Sequence, residues 1–122
     1  MNSLVGDPGD LTNRVNPQMV QFYTAADVPS PARIYVLLDE HPDTLNDGFF
    51  MNRWEELRWG NLPGSYHNGA ANLSFVDGHV ESHKWVLAET KPPSVEGGVG
   101  GTFVPTDATD YNWLKERTSV AR

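Results

Sequence analysis

Three groups of side chains in this sequence have the types and spacing to do chemistry. His79, Glu81 and His83 alternate along a strand-like run. A strand would present all three on one side, with neighbours roughly 7 Å apart. Two imidazoles and a carboxylate form a zinc-type ligand set, the kind a metal-dependent hydrolase would use. An ordinary solvent-facing strand has the same alternation, and one exposed strip makes no pocket. The second group is acidic: Asp39, Glu40, His41, Asp43, Asn46 and Asp47 follow one another closely. Calcium takes about six to eight oxygen ligands from a loop able to wrap it, and Asp39, Asp43, Asn46 and Asp47 are the candidates here. The spacing is not that of an EF-hand. The structural alternative is an acidic turn in which Asp and Asn bond nearby backbone.

His67 and Asp77 form the third group. A His–Asp pair acts as a catalytic relay only beside a nucleophile. Here a strand's length of chain separates the two, so the residues themselves suggest that His67 fixes its loop while Asp77 occupies a turn. The sequence contains no Gly-x-Ser-x-Gly, no His-Glu-x-x-His and no phosphate loop. Trp54, Trp59, Trp85 and Trp113 would make a glycan-stacking platform if two lay flat on the surface. In a chain this poor in aliphatic residues they are wanted in the core.

The elements that must position these groups centre on Asp77-Gly78. Asp-Gly between two strand-like runs predicts a hairpin, because a type I′ turn needs positive φ at both central residues. A two-residue turn pairs Val76 with His79, Phe75 with Val80, Ser74 with Glu81 and Leu73 with Ser82. Leu73, Phe75 and Val80 then share the core side. Ser74, Val76, His79, Glu81 and His83 share the polar side. Residues 33–38 (Arg-Ile-Tyr-Val-Leu-Leu) read as a strand in the middle of a sheet, and residues 49–51 as a second strand paired to it. Residues 1–17 read as an irregular leading segment. Around Met19–Tyr23 a helical turn and a strand are both open. Residues 52–64 allow one helical turn, and 87–106, with Pro92-Pro93, Gly97-Gly98 and Gly100-Gly101, form a loop. A helix over Asp107–Arg117 closes the chain, with Thr106, Asp107 or Thr109 as its cap and Tyr111, Trp113 and Leu114 as its buried stripe.

Composition narrows the function classes. At 122 residues the chain is one domain, residues 1–122, with a modest core. A net charge of -7 argues against nucleic acid and anionic membrane surfaces as partners, since both need clustered cations. With no cysteine, disulfides, thiolate metal sites and a Cys nucleophile are excluded. No apolar run is long enough to span a bilayer.

The segment Ser65-Tyr66-His67-Asn68-Gly69, the nine residues from His67 to Asp77-Gly78, and the trailing His83-Lys84-Trp85 resemble the H-X9-DG domain. That domain lies at the C-terminal end of prepilin-type proteins, the type II secretion pseudopilins and type IV pilin-like proteins. Residues 36–48 are similar to a segment found upstream in that family, and residues 112–118 to its common ending. The resemblance implies His67, Asp77 and Gly78 as motif residues. It also implies a pilin-like α+β head: an antiparallel sheet from 33–38, 49–52 and the 71–86 hairpin, long loops and a terminal helix. Its work would be assembly, with other pilin or pseudopilin subunits as partners and a periplasmic or extracellular location. Such proteins start with a basic leader, a Gly cleavage site and a long apolar helix with an early Glu. None is in this sequence, so the expectation is a head whose membrane-anchoring helix lies outside it, and which is monomeric alone. Pseudopilins carry a calcium site near the end of their sheet, which lends support to calcium at the acidic segment, although their calcium loop does not map onto it residue by residue. The other function classes left open are an extracellular calcium- or glycan-binding module and the metal-dependent hydrolase.

Overall fold

The computed structural model describes residues 1–9, 14–95 and 102–122; Gly97-Gly98 and Gly100-Gly101 of the predicted loop lie outside them. A three-stranded antiparallel sheet is the frame, formed by β1 (Tyr35–Leu38), β2 (Ala70–Phe75) and β3 (Val80–Lys84) in the order β1-β2-β3. One helix, α1 (Thr109–Lys115), follows near the C-terminus, and short 3-10 turns punctuate the loops. This is a small α+β fold.

Two expectations about the sheet are corrected. The strand at 33–38 is not central: β2 is, with β1 and β3 flanking it. Nor does the 49–51 run pair with β1. Phe50 instead bridges Asn2 in parallel, and the N-terminal segment lies between them, with Phe50 N–H donating to Met1 O and Asn2 N–H to Val36 O. The leading residues are irregular but central. Asn2 is fully buried, its Nδ2 donating to Tyr35 O (2.9 Å) and Thr118 O (2.8 Å) while its Oδ1 accepts from Leu4 N–H (3.0 Å). One amide side chain thereby joins the start of the chain, β1 and the segment after α1.

The hairpin forms with a register one residue away from the expected one. Ser74 pairs with Val80, Leu73 with Glu81, Asn72 with Ser82 and Ala71 with His83. The turn is the reason. Gly78 N–H donates to Phe75 O (2.9 Å), Phe75 N–H donates to His79 O, and Gly78 alone in the turn has positive φ, at +92°. A three-residue loop needs one left-handed residue and the two-residue type I′ turn needs two; here only the glycine goes left-handed. The shift of one residue exchanges the two sides of β3. Val80 moves to the exposed side with Ser74, while His79, Glu81 and His83 share the side of Phe75, Leu73 and Ala71.

That side faces the core, which is aromatic. Trp54, Trp59, Trp85, Tyr35, Tyr111 and Phe50 are all buried, with Leu62, Leu73 and Leu114 among them. Trp54 and Trp59 each meet Tyr111 with ring centroids 4.9 Å apart. Burying about 200 Å² per large ring contributes roughly 5 kcal/mol each before the entropy of ordering is subtracted. Two of the polar tips are served, Trp85 Nε1 donating to Gly64 O (2.9 Å) and the Tyr111 hydroxyl to Arg53 O (2.8 Å), whereas the buried Trp54 Nε1 and Tyr35 hydroxyl have no hydrogen-bond partner among the described residues. Burial pushes the Tyr111 hydroxyl's pKa up to about 12.

The helix carries Tyr111 and Leu114 inward, as its stripe predicts, with Trp113 at the margin. Ala108 occupies the cap position, and the Asp107 carboxylate accepts from Thr109 N–H (2.8 Å). Asp110, in the first turn, is buried as well. It accepts from Val86 N–H, Leu87 N–H and Thr90 Oγ1, so a charged group anchors the chain leaving β3 onto α1. Residues 19–22 run extended rather than helical, bonded to Leu4 and Val120, and the 3-10 turn comes later, at Ala25–Asp27.

Candidate functional site

Of the motif residues, His67 lies at the end of β1, beside Asp39, while Asp77 and Gly78 form the hairpin turn. Asp39 continues the ladder beyond Leu38: its N–H donates to Asn72 O (3.1 Å) and its Oδ2 accepts from Asn72 N–H (3.0 Å). His67 Nε2 lies 3.6 Å from the same carboxylate oxygen. The partner of His67 is therefore Asp39, and Asp77 sits at the other end of β2. The turn that presents His67 has Asn68 and Gly69 at φ +54° and +82°, and Ala70 N–H donates back to His67 O. Gly64 permits the close approach beside it. Its N–H donates to Asp39 O at 2.6 Å, and a Cβ there would stand 2.7 Å from the Tyr66 ring. Tyr66 in turn donates its hydroxyl to Glu40 O (2.8 Å).

The acidic residues beyond Asp39 each serve a different partner. Asp43 accepts from Val95 N–H (2.8 Å) and Ser94 Oγ (3.0 Å), tying down the loop after β3. Asp47 accepts from Phe49 N–H (2.8 Å), closing its own turn, and Asn46 is exposed. His41 is buried, its Nδ1 accepting from Asp43 N–H, so that Nε2 carries the proton donated to Pro92 O (2.7 Å). Glu40 accepts from Thr44 Oγ1 (3.1 Å). Desolvation raises its carboxyl from 4.5 to about 7, against the lowering effects of the Thr44 hydroxyl and the Met1 amine. Asp39, Asp43, Asn46 and Asp47 are thus distributed along the segment. Among the described residues, no three His, Asp or Glu side chains are grouped to hold a metal ion.

The alternating strip on β3 is divided in two. At the hairpin tip, His79 lies flat on Phe75, ring centroids 4.4 Å apart, with its Nδ1 against the Asp77 carboxylate and its Nε2 3.7 Å from Glu81. The Asp77 hydrogen bond raises the His79 pKa, and the same contact lowers that of Asp77. At the other end, His83 stacks on Trp113 (3.5 Å between centroids, 11° between planes) and meets Trp85 edge-on. Burial lowers its pKa. The Arg117 guanidinium also lies over the Trp113 ring, 3.9 Å from its centroid. Glu81, Ser82, His83, Trp113 and Arg117 line a cavity of about 360 Å³ beside β3.

Sequence reasoning missed the roles of Asn2, Asp110 and Arg117. Asp110 reads as a helix-dipole residue in the first turn, and nothing local distinguishes that from a buried anchor. Trp54, Trp59 and Trp85 are core residues, and Trp113 has its ring taken by His83 and Arg117. Chemically, the arrangement joins loops to a sheet through imidazole and carboxylate side chains. Compared with known protein families, with curated proteins and with solved structures, the chain matches none.

Proposed function

We propose that this chain is the globular head of a pilin-like or pseudopilin-like filament subunit, working by assembly and presentation and not by catalysis. One observation carries the reading: the three segments that resemble the prepilin-type family form a single bonded frame. Asp39 of the upstream segment accepts from Asn72 and adjoins His67 of the H-X9-DG segment. The closing segment reaches the H-X9-DG segment, Trp113 stacking on His83, and the residue that leads into the upstream segment, Arg117 O accepting from Tyr35 N–H. Segments that resemble one family and also hold one another in place behave as a unit.

Under this reading His67 and Asp39 are structural, Gly78 makes the hairpin turn, and the loops around the acidic segment face neighbouring subunits. The partners are other pilin or pseudopilin subunits, outside the cytoplasm. The test is to express the chain with its native upstream coding sequence in a host with a prepilin peptidase and assembly machinery. Peptidase-dependent processing and recovery of the head in sheared surface filaments are expected. A product that is never processed and never leaves the cytoplasm would overturn the proposal.

A further inference from the structure

The phase of the β2–β3 ladder determines which backbone groups β3 leaves over. Phe75 N–H donates to His79 O, and Trp85 N–H donates to Gly69 O. Residues 79, 81, 83 and 85 therefore spend their backbone groups on β2, and those of Val80, Ser82 and Lys84 point away from the sheet. Among the described residues, no strand follows β3 in the sheet order and no hydrogen bond from another residue reaches the N–H or C=O of these three. Such an edge is a template for another strand.

We propose that β3 pairs antiparallel with β3 of a second copy of this chain, about a two-fold axis through Ser82. Side-chain chemistry selects both the occupant and the register. An axis at Ser82 sets Val80 against Lys84 of the other copy and uses all three outward residues, giving about six backbone hydrogen bonds. It also places Glu81 directly opposite His83 of the other copy, a carboxylate against an imidazole whose nitrogens make no hydrogen bond to a described residue. An axis at Glu81 would face two carboxylates, and one at His83 two imidazoles; both are unfavourable or without gain. On the opposite side, Val80 is 67% exposed, and the methylene stem of Lys84 would cover it. The charged side chains that guard this edge against strangers are complementary to themselves. This pairing concerns the head alone and does not depend on the filament reading.

An interface of one strand pair is small, so association is weak, with Kd of about 0.1–1 mM. The chain is then monomeric when dilute and dimeric when concentrated. Sedimentation velocity up to about 1 mM is expected to show a monomer–dimer equilibrium that stops at the dimer. Ser82→Pro removes an outward N–H that β2 does not use, and it should weaken the dimer by tenfold or more, roughly 1.4 kcal/mol. A cross-link supplies an independent readout, since the chain has no cysteine of its own. Paired residues at the axis have Cα atoms about 5.5 Å apart, within disulfide reach. Ser82→Cys should oxidise to a covalent dimer much faster than Leu45→Cys, an exposed control on the acidic segment. A monomer throughout the concentration range, growth beyond the dimer, or equal cross-linking of the two cysteines would each overturn the proposal.

Discussion

The two outer edges of the sheet are finished in opposite ways. The β1 edge is sealed by chain from both ends of the sequence. Asn2 N–H donates to Val36 O, Tyr35 N–H donates to Arg117 O, and the Asn2 amide holds Tyr35 O and Thr118 O together. The β3 edge is lined with Glu81, His83 and Lys84 and keeps its outward backbone groups. Sealing one edge with distant chain leaves a small sheet a single direction in which to grow. Stability therefore resides on the β1 side and association on the β3 side, and substitutions should separate the two.

The largest effect is expected at the seal. Asn2→Ala removes three hydrogen bonds and leaves buried backbone groups unpaired, a loss of about 3 kcal/mol or more in urea unfolding. Next is the acidic segment, where Glu40 binds its proton more tightly in the fold than in the unfolded chain. Its contribution is complete below the unfolded value of 4.5 and is lost as pH rises through about 7. Because the group is only half-buried, water screens the effect to about 1 kcal/mol. The difference in stability between wild type and Glu40→Gln, followed across that range, should track this loss, and parallel curves would refute it.

A smaller effect is expected at the hairpin turn. Gly78→Ala meets no steric neighbour, so the only penalty is left-handed backbone, roughly 1 kcal/mol. The smallest belongs to the open edge. Ser82→Ala should change stability by less than about 0.5 kcal/mol, because it removes only the exposed bond from Ser82 Oγ to Asn72 Oδ1 and leaves the backbone ladder intact. Calcium sharpens the same contrast. The carboxylates of Asp39, Asp43 and Asp47 already accept backbone N–H groups, so the melting temperature in calcium and in chelator should agree. A rise of several degrees with calcium, abolished by Asp43→Ala, would restore the calcium-module reading.

Much of this frame was legible in the sequence wherever the signal was local. The apolar run before Asp39 marked β1, Asp77-Gly78 marked the hairpin, and Tyr111 and Leu114 marked the inward face of α1. What escaped depended on distance or on degeneracy. The Asp-Gly pair is compatible with a two-residue and a three-residue loop, and one residue of difference moved Val80 outward and His83 towards Trp113. The run at 49–51 looked like a partner for β1, but the leading segment takes that place. Its Asn2 and Leu4 are buried in a stretch whose polar, Gly- and Pro-rich composition suggests exposure. The contact of His67 with Asp39 joins residues far apart in the chain, and no spacing rule points to it. The frame of an apolar strand, a turn and a helix could be read; the polar ties that close it could not.

Amide hydrogen exchange in dilute and in concentrated solution tests the contrast between the edges most directly. In dilute solution the Tyr35 and Glu81 amides should exchange slowly and the Ser82 amide quickly. On concentration the Ser82 amide should slow while that of Tyr35 stays unchanged. A Ser82 amide already protected when dilute, or unchanged when concentrated, would contradict the account of a sealed edge and an open one that pairs.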